Sequence, residues 1–261
     1  MNPVVLFRED SSNSQELEIA KKYFRVFTLR TEVFNNSLVI GRYSCLPFYR
    51  EWEKDLANKH CRPINSYREH QYIANFDYYE DVKRYTFKTY DDSNFYTAPE
   101  GPYVVKGRTN SRKWDWSRLM FAPTKKDASR IAAELAGDGL IGPQGILYRE
   151  YRKLQTYEHG INGLPFTNEW RFFFYRERLL TYGYYWSVAE NIKLSLPVQA
   201  INLAKEIANI VKNNVNFFVL DMAQTDGGDW VLIEVNDGQM SGLSECSADI
   251  LYWSLKKCRI S

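Results

Sequence analysis

Asn216–Ser244 reads NFFVLDMAQTDGGDWVLIEVNDGQMSGLS. Two apolar runs rich in Val, Ile, Leu, Phe and Trp flank a polar turn, the pattern of a β-hairpin, and Gly227-Gly228 suits a two-residue primed turn. With that turn, paired positions sum to a constant: Asp226 faces Asp229, Asp221 faces Glu234, and Val219 faces Asn236. Because strand side chains alternate, Leu232, Glu234 and Asn236 are expected on one face and Val231, Ile233 and Val235 on the other.

Opposed Cβ atoms lie about 4.5–5.5 Å apart, and like charges placed there repel. At roughly 5 Å the repulsion is about 1 kcal/mol in water and about 3 kcal/mol at an effective dielectric near 20. A divalent cation between Asp221 and Glu234 removes it. Two carboxylates and an amide oxygen suit Mg²⁺ bound with nucleotide phosphates better than they suit zinc. An exposed hairpin with merely solvated acids has the same spacing. On the cation reading, Asp221→Asn relieves repulsion in the metal-free protein.

Asp221, Glu234 thirteen positions later and Asn236 two beyond resemble the metal-binding signature of the ATP-grasp superfamily. The segments LVIGRYSCLPFY, GPYVVKGRTNSRKW, GILYREY, NEWRFFF and IEVNDGQMSGLS extend the likeness over nearly the whole chain. Together they resemble the phage and bacterial ATP-grasp clade named for two arginines and a lysine, related to a eukaryotic initiation-factor assembly protein. The resemblance implies an ATP-grasp fold of α/β and α+β parts. On that resemblance residues 1–90 are expected to form a small pre-ATP-grasp α/β domain, and residues 91–261 two α+β subdomains enclosing ATP. It implies Mg²⁺ on Asp221, Glu234 and Asn236, and ATP phosphates on Lys106, Arg108 and Arg171. It implies Glu150 and Tyr151 as the hinge bordering adenine, and Lys106 and Arg171 as the catalytic cations. The implied activity is an ADP-forming ligase that joins a small-molecule or peptide carboxylate to an amine through an acyl phosphate, with a protein substrate also compatible. The eukaryotic relative implies the alternative, an ATP-binding assembly factor without ligase turnover. One position departs from the pattern. Many ATP-grasp ligases carry Arg two residues before the metal Asp, where this chain has Val219.

Composition sets outer limits. With 261 residues, 44% hydrophobic and 25% charged, the chain can bury a substantial core. Its 34 basic and 32 acidic residues are interspersed, so the footprint of a nucleic-acid binder is missing. Cys45, Cys61, Cys246 and Cys258 have no CxxC spacing or His cluster, which argues against zinc and for reduced thiols. MNPVVLFRED lacks the basic start and apolar length of a signal peptide, and no run approaches ~20 apolar residues, so no membrane association and a cytoplasmic location are expected.

Upstream of the hairpin, strands at Val4–Phe7 and Leu38–Ile40 alternate with helices after Ser14, after Pro47 and in SYREHQYIANF, the pattern of a small parallel sheet ending near Tyr85. Ser66 and Tyr67 are either capping and packing groups or substrate contacts. The strand Tyr103–Lys106 leads into GRTNSRKWDWSR, which is not a Walker loop. Its Arg108, Arg112 and Lys113 fit either a solvated loop or one that is open without ligand and closes over a triphosphate. Thr124 and Asp127 read as a helix start. NEWRFFFYRERLLTYGYYW reads as a second hairpin, with Glu169 or a phosphate as the partner of Arg171. An amphipathic helix follows Pro197.

Overall fold

The computed structural model describes residues 2–8, 14–188, 197–258 and 260. The chain opens with β1 (Asn2–Phe7), α1 (Ser14–Ala20), β2 (Arg25–Phe27), β3 (Ser37–Arg42), α2 (Tyr49–Ala57) and β4 (Arg62–Pro63). These strands form a parallel sheet in the order β2-β1-β3-β4. Its strands are covered on both faces, as parallel sheets require. Val4, Leu6 and Val39 pack with Tyr49, Trp52 and Leu56 of α2. Val5, Phe7, Leu38 and Ile40 turn the other way, into a core shared with the rest of the chain.

Two helices follow, α3 (Tyr67–Ala74) and α4 (Tyr78–Val82). Ser66 begins α3 with a full capping box: its hydroxyl accepts from Glu69 N (3.2 Å) and Glu69 Oε2 accepts from Ser66 N (2.6 Å). Of the two readings of Ser66, capping is the one present. Ile73, Tyr78 and Val82 belong to a core shared with the central sheet, described last.

The sheet that follows is antiparallel, in the order β5-β8-β6-β7, from β5 (Thr89–Asp91), β6 (Tyr103–Gly107), β7 (Phe121–Ala122) and β8 (Ile146–Glu150). The short α5 (Trp116–Leu119) precedes β7, and α6 (Lys125–Ala136) packs on this sheet through Ala128, Ile131 and Leu135. α6 starts where Thr124 accepts from Asp127 N and ends at Gly137. A small hairpin, β9 (Thr156–His159) with β10 (Pro165–Thr167), leads into the central sheet.

That sheet is antiparallel, ordered β12-β11-β13-β14, with β11 (Glu169–Tyr175), β12 (Arg178–Tyr184), β13 (Phe217–Gln224) and β14 (Trp230–Asp237). Phe218, Leu220 and Met222 of β13 face α7 (Val198–Val211), while Phe217 and Val219 face α8 (Ala248–Lys257) and the N-terminal sheet. Asp221 is the next residue on the second face, where the apolar packing stops. The four cysteines are free thiols. Among the described residues no helix is long and apolar enough to cross a membrane.

The hairpin departs from its expected register in an informative way. Thr225 N donates to Asp229 O (2.8 Å) and Gly228 N to Thr225 O (2.9 Å), so the turn centres on Asp226-Gly227, and Gly228 takes a left-handed φ of +95°. Near the turn, Met222 therefore faces Leu232 and Gln224 faces Trp230, and Asp226 does not oppose Asp229. A bulge between Asp221 and Met222 absorbs the extra residue, after which Asp221 faces Glu234 and Val219 faces Asn236, as the sequence predicts. The bulge also corrects the face assignment. Leu232 joins Val235 in the core instead of sharing the face of Glu234.

Candidate active site

One rung of the central sheet holds most of the candidate residues. Arg171 of β11 is paired across to Asp221 of β13, which is paired across to Glu234 of β14. Arg171 grips Asp221 with two hydrogen bonds, Nε to Oδ1 at 2.9 Å and Nη2 to Oδ2 at 2.8 Å. Asp221 is 1% exposed and Arg171 9%, so this is a buried bidentate pair and not a surface one. Burial opposes the Arg171 charge, but Asp221 outweighs it and holds the guanidinium above its ordinary pKa. Arg171 Nη1 also donates to Gly242 O (2.8 Å). Its other cross-strand neighbour is Gly183, where an added Cβ would stand 2.3 Å from the Glu245 carbonyl carbon. The missing side chain lets the segment after β14 cross the sheet beside Arg171.

The partner of Arg171 is thus Asp221, and not Glu169. Glu169 accepts instead from Thr167 Oγ1 (3.2 Å). Burial, and then Asp221, push its carboxyl up to about 7 against the pull of Lys113 and Arg171.

The opposing sheet supplies Lys106. On β6, Tyr103 and Val105 enter the core with α6, so Val104 and Lys106 face the other way, into a cleft of about 910 Å³ including its open mouth. Lys106 forms an ion pair with Glu234 across that cleft. Burial and the nearby Arg149 press its ammonium down to about 7, with Asp221 acting in the opposite direction. Each of the two opposed acids therefore has its own cation, which offsets the repulsion expected from their pairing.

Asn236 completes the group. Its Nδ2 donates to Asp221 Oδ2 (3.0 Å) and lies 3.4 Å from Glu234 Oε2. An amide in this position can present either end, since rotating it by half a turn exchanges nitrogen for oxygen. So turned, Asn236 and the two carboxylates offer three hard oxygen donors around one point, a set that fits Mg²⁺. Among the described residues no cluster of three His, Cys, Asp or Glu side chains has metal-binding geometry, so a metal held at this point would take the amide as one of its donors.

Glu150 and Tyr151 line the same cleft at the exit of β8. The Glu150 carboxylate accepts from Tyr90 OH (3.2 Å), and Tyr151 meets Phe121 edge-on. Arg108 is not brought to the cleft lining. It lies over Gly145, where an added Cβ would stand 3.4 Å from Arg108 Nε. The loop after β6 is also not free. Gln144 Oε1 accepts from Thr109 N, Thr109 Oγ1 and Asn110 N at 3.0–3.2 Å, and Arg112 Nε donates to Asp138 (2.6 Å). On the far side Asn162 Nδ2 donates to Trp114 O (2.7 Å), and Lys113 Nζ donates to Tyr185 OH (2.9 Å). In the structure the loop is tied down at both sides of the cleft.

Arg149 and Tyr185 join the site without having been singled out by the motif reading, and Lys113, named there only as a loop cation, joins it too. Arg149 is buried in β8 and lines the cleft, with its guanidinium on Ile233 O, one residue before Glu234. Strand alternation with Val104 opposite it could have found it. Lys113 and Tyr185 meet only because the loop crosses to β12, which nothing in local spacing reveals.

Residues 93–255 match the family model for the ATP-grasp domain of the clade named for two arginines and a lysine, family 3, and the chain belongs to that family. Several solved structures share the fold over almost the full length. The ATP-grasp ligase PsnB complexed with minimal precursor superposes with a TM-score of 0.58 at 12% identity, covering 97% of this chain and 98% of that one. D-cycloserine synthetase DcsG superposes at 0.57 and 11% identity, covering 100% of both chains. The D-alanyl-alanine synthetase A of Vibrio cholerae O1 biovar eltor str. N16961 gives 0.54 at 11%, covering 98% of this chain and 93% of that one. No curated protein matches the sequence.

Proposed function

We propose that the protein is an ATP- and Mg²⁺-dependent ligase that joins a carboxylate to an amine through an acyl phosphate. The observation that carries this reading is the convergence of Lys106 from one sheet with Arg171, Asp221, Glu234 and Asn236 from another at one end of one cleft. The structural neighbours support it: PsnB is a ligase with structures containing a precursor peptide, or Mg and ADP, and the macrocyclase MdnC from Microcystis aeruginosa MRC is bound with a precursor peptide. Peptides are accordingly the first substrates to test.

In this reading Asp221, Glu234 and Asn236 hold Mg²⁺, which when bound supplies positive charge beside the triphosphate. The chain's own part is positioning and charge. Val104, Tyr151 and Ile233 give the adenine an apolar wall. Lys106, released from Glu234 once the phosphates arrive, offers its ammonium to them. A substrate carboxylate oxygen attacks the γ-phosphorus as its bond to the bridging oxygen breaks, and ADP departs. Arg171, already fixed by Asp221 and Gly242, faces the charge on the transferred group. The amine then attacks the acyl carbon, and inorganic phosphate leaves carrying the amine proton. The tied loop and Lys113 keep water from the phosphoryl group during these steps.

The test is a screen of amino acids and peptides for release of ADP and phosphate, with hydroxylamine present to trap an acyl phosphate as a hydroxamate. Turnover with a hydroxamate supports the ligase. Tight binding of Mg·ATP with no ADP release for any acceptor rejects it in favour of an ATP-binding assembly factor.

A further inference from the structure

Asp237, immediately after Asn236, is 4% exposed and faces away from the cleft, yet it is a carboxylate with no Lys or Arg partner among the described residues. Three donors satisfy it. Asn65 Nδ2 (2.8 Å) and Gln239 N (2.9 Å) reach Oδ1, and His70 Nδ1 is 3.2 Å from Oδ2. A carboxylate at that distance accepts from His70 Nδ1–H, and His70 Nε2 is buried without a hydrogen-bond partner. Tyr49 stacks flat on the His70 ring, with centroids 4.5 Å apart, and its hydroxyl donates to Asn65 O (2.8 Å). Gln239 Nε2 closes the circuit by donating to Tyr49 OH (2.5 Å).

The same Asn65 also pairs with the backbone of Phe217, accepting from its N (2.8 Å) and donating to its O (2.6 Å). Phe217 begins β13 and Asp237 ends β14, so one side chain pins both strands of the metal hairpin at its open end. Asn65 itself lies in the loop after β4, Tyr49 comes from α2, His70 from α3, and Gln239 from the segment after β14. A buried carboxylate of this kind is expensive unless fully hydrogen-bonded, and an apolar residue would fill the space at lower cost. Its place beside Asn236 gives it a use.

We infer that Asp237 is a positioning residue: held by Asn65, His70 and Gln239, it fixes the end of β14 so that Asn236 and Glu234 meet Asp221, and thereby couples the N-terminal α/β region to metal affinity. This rests on the metal site proposed above. Outer partners of metal ligands commonly change metal affinity 10–100-fold when removed, and here the action passes through the strand.

The experiment measures binding of a non-hydrolysable ATP analogue by calorimetry in Mg²⁺ and in EDTA, together with the melting temperature. In the wild type Mg²⁺ strengthens binding. In Asp237→Ala that gain falls 10–100-fold while affinity in EDTA stays within about twofold, and Asp237→Asn, which keeps the Oδ1 acceptor, recovers most of it. If Asp237→Ala does not fold, the smaller polar variant Asp237→Ser is read in the same way. A gain preserved in the Ala and Ser variants, or one that falls only in step with the EDTA affinity, overturns the inference and leaves the metal site standing. A wild type that binds the analogue equally with and without Mg²⁺ overturns both.

Discussion

Replacing Asp221 by Asn discriminates between the hairpin considered alone and the hairpin in its fold. With only Glu234 opposite, losing the charge would relieve about 1–3 kcal/mol of repulsion and stabilise the metal-free protein. The structure reverses the sign. Asp221 is 1% exposed and holds both ends of the Arg171 fork at 2.8 and 2.9 Å. Removing one member of a buried ion pair costs about 3–5 kcal/mol because the other charge is left without compensation. Asn retains one acceptor, so about 2–3 kcal/mol is the appropriate figure here. For a chain of this size that corresponds to a fall in Tm of roughly 4–12 °C. The assay is thermal unfolding in EDTA followed by near-ultraviolet dichroism, with Arg171→Met and the double variant run beside it. The double variant should be more stable than the sum of the two single losses predicts, since no charge is left unpaired. A Tm that rises or stays unchanged in Asp221→Asn refutes the argument, because it would mean that Arg171 does not depend on Asp221.

Three further outcomes follow from the same geometry. Glu169 has a folded-state pKa raised from 4.5 to about 7, so the folded protein binds the extra proton and its stability declines as pH rises through that window; Glu169→Gln should therefore gain up to about 3 kcal/mol relative to wild type at pH 8 and nothing near pH 4.5, read from urea midpoints at both pH values. Lys106→Met should weaken an ATP analogue by at least about tenfold and adenosine by less than about twofold in calorimetry, since only the former offers phosphates to the ammonium; equal losses would assign Lys106 to structure alone. Gln144→Ala removes the acceptor shared by Thr109 and Asn110, so trypsin should cut near Arg112 or Lys113 faster than in wild type, and unchanged digestion would show that Gln144 does not restrain the loop.

Where a structural feature depends on neighbours within a few positions, the sequence was sufficient. The capping groups Ser66 and Thr124 are found where the residue types place them, because a cap is satisfied three residues away. The hairpin, and the opposition of Asp221 to Glu234 within it, follow from two apolar runs and a glycine-rich turn. Even there the turn centre was decided by backbone conformation, with Gly228 at positive φ and a bulge that moved Leu232 into the core while leaving the acids in register. Spacing alone counts residues and cannot detect one absorbed by a bulge. The rest was settled by elements distant in the chain. Arg171 pairs with Asp221 because β11 lies between β12 and β13, a sheet order that no local pattern specifies. Arg149, Lys113 and Tyr185 reach the cleft through the meeting of two sheets and a crossing loop, whereas Arg108, equally promising by residue type, is carried to Gly145. Residue chemistry fixed which side chains were able to bind a metal and phosphates; long-range strand pairing decided which of them share one site, because a side chain's partners in a sheet belong to strands whose adjacency is set by the packing of the whole core.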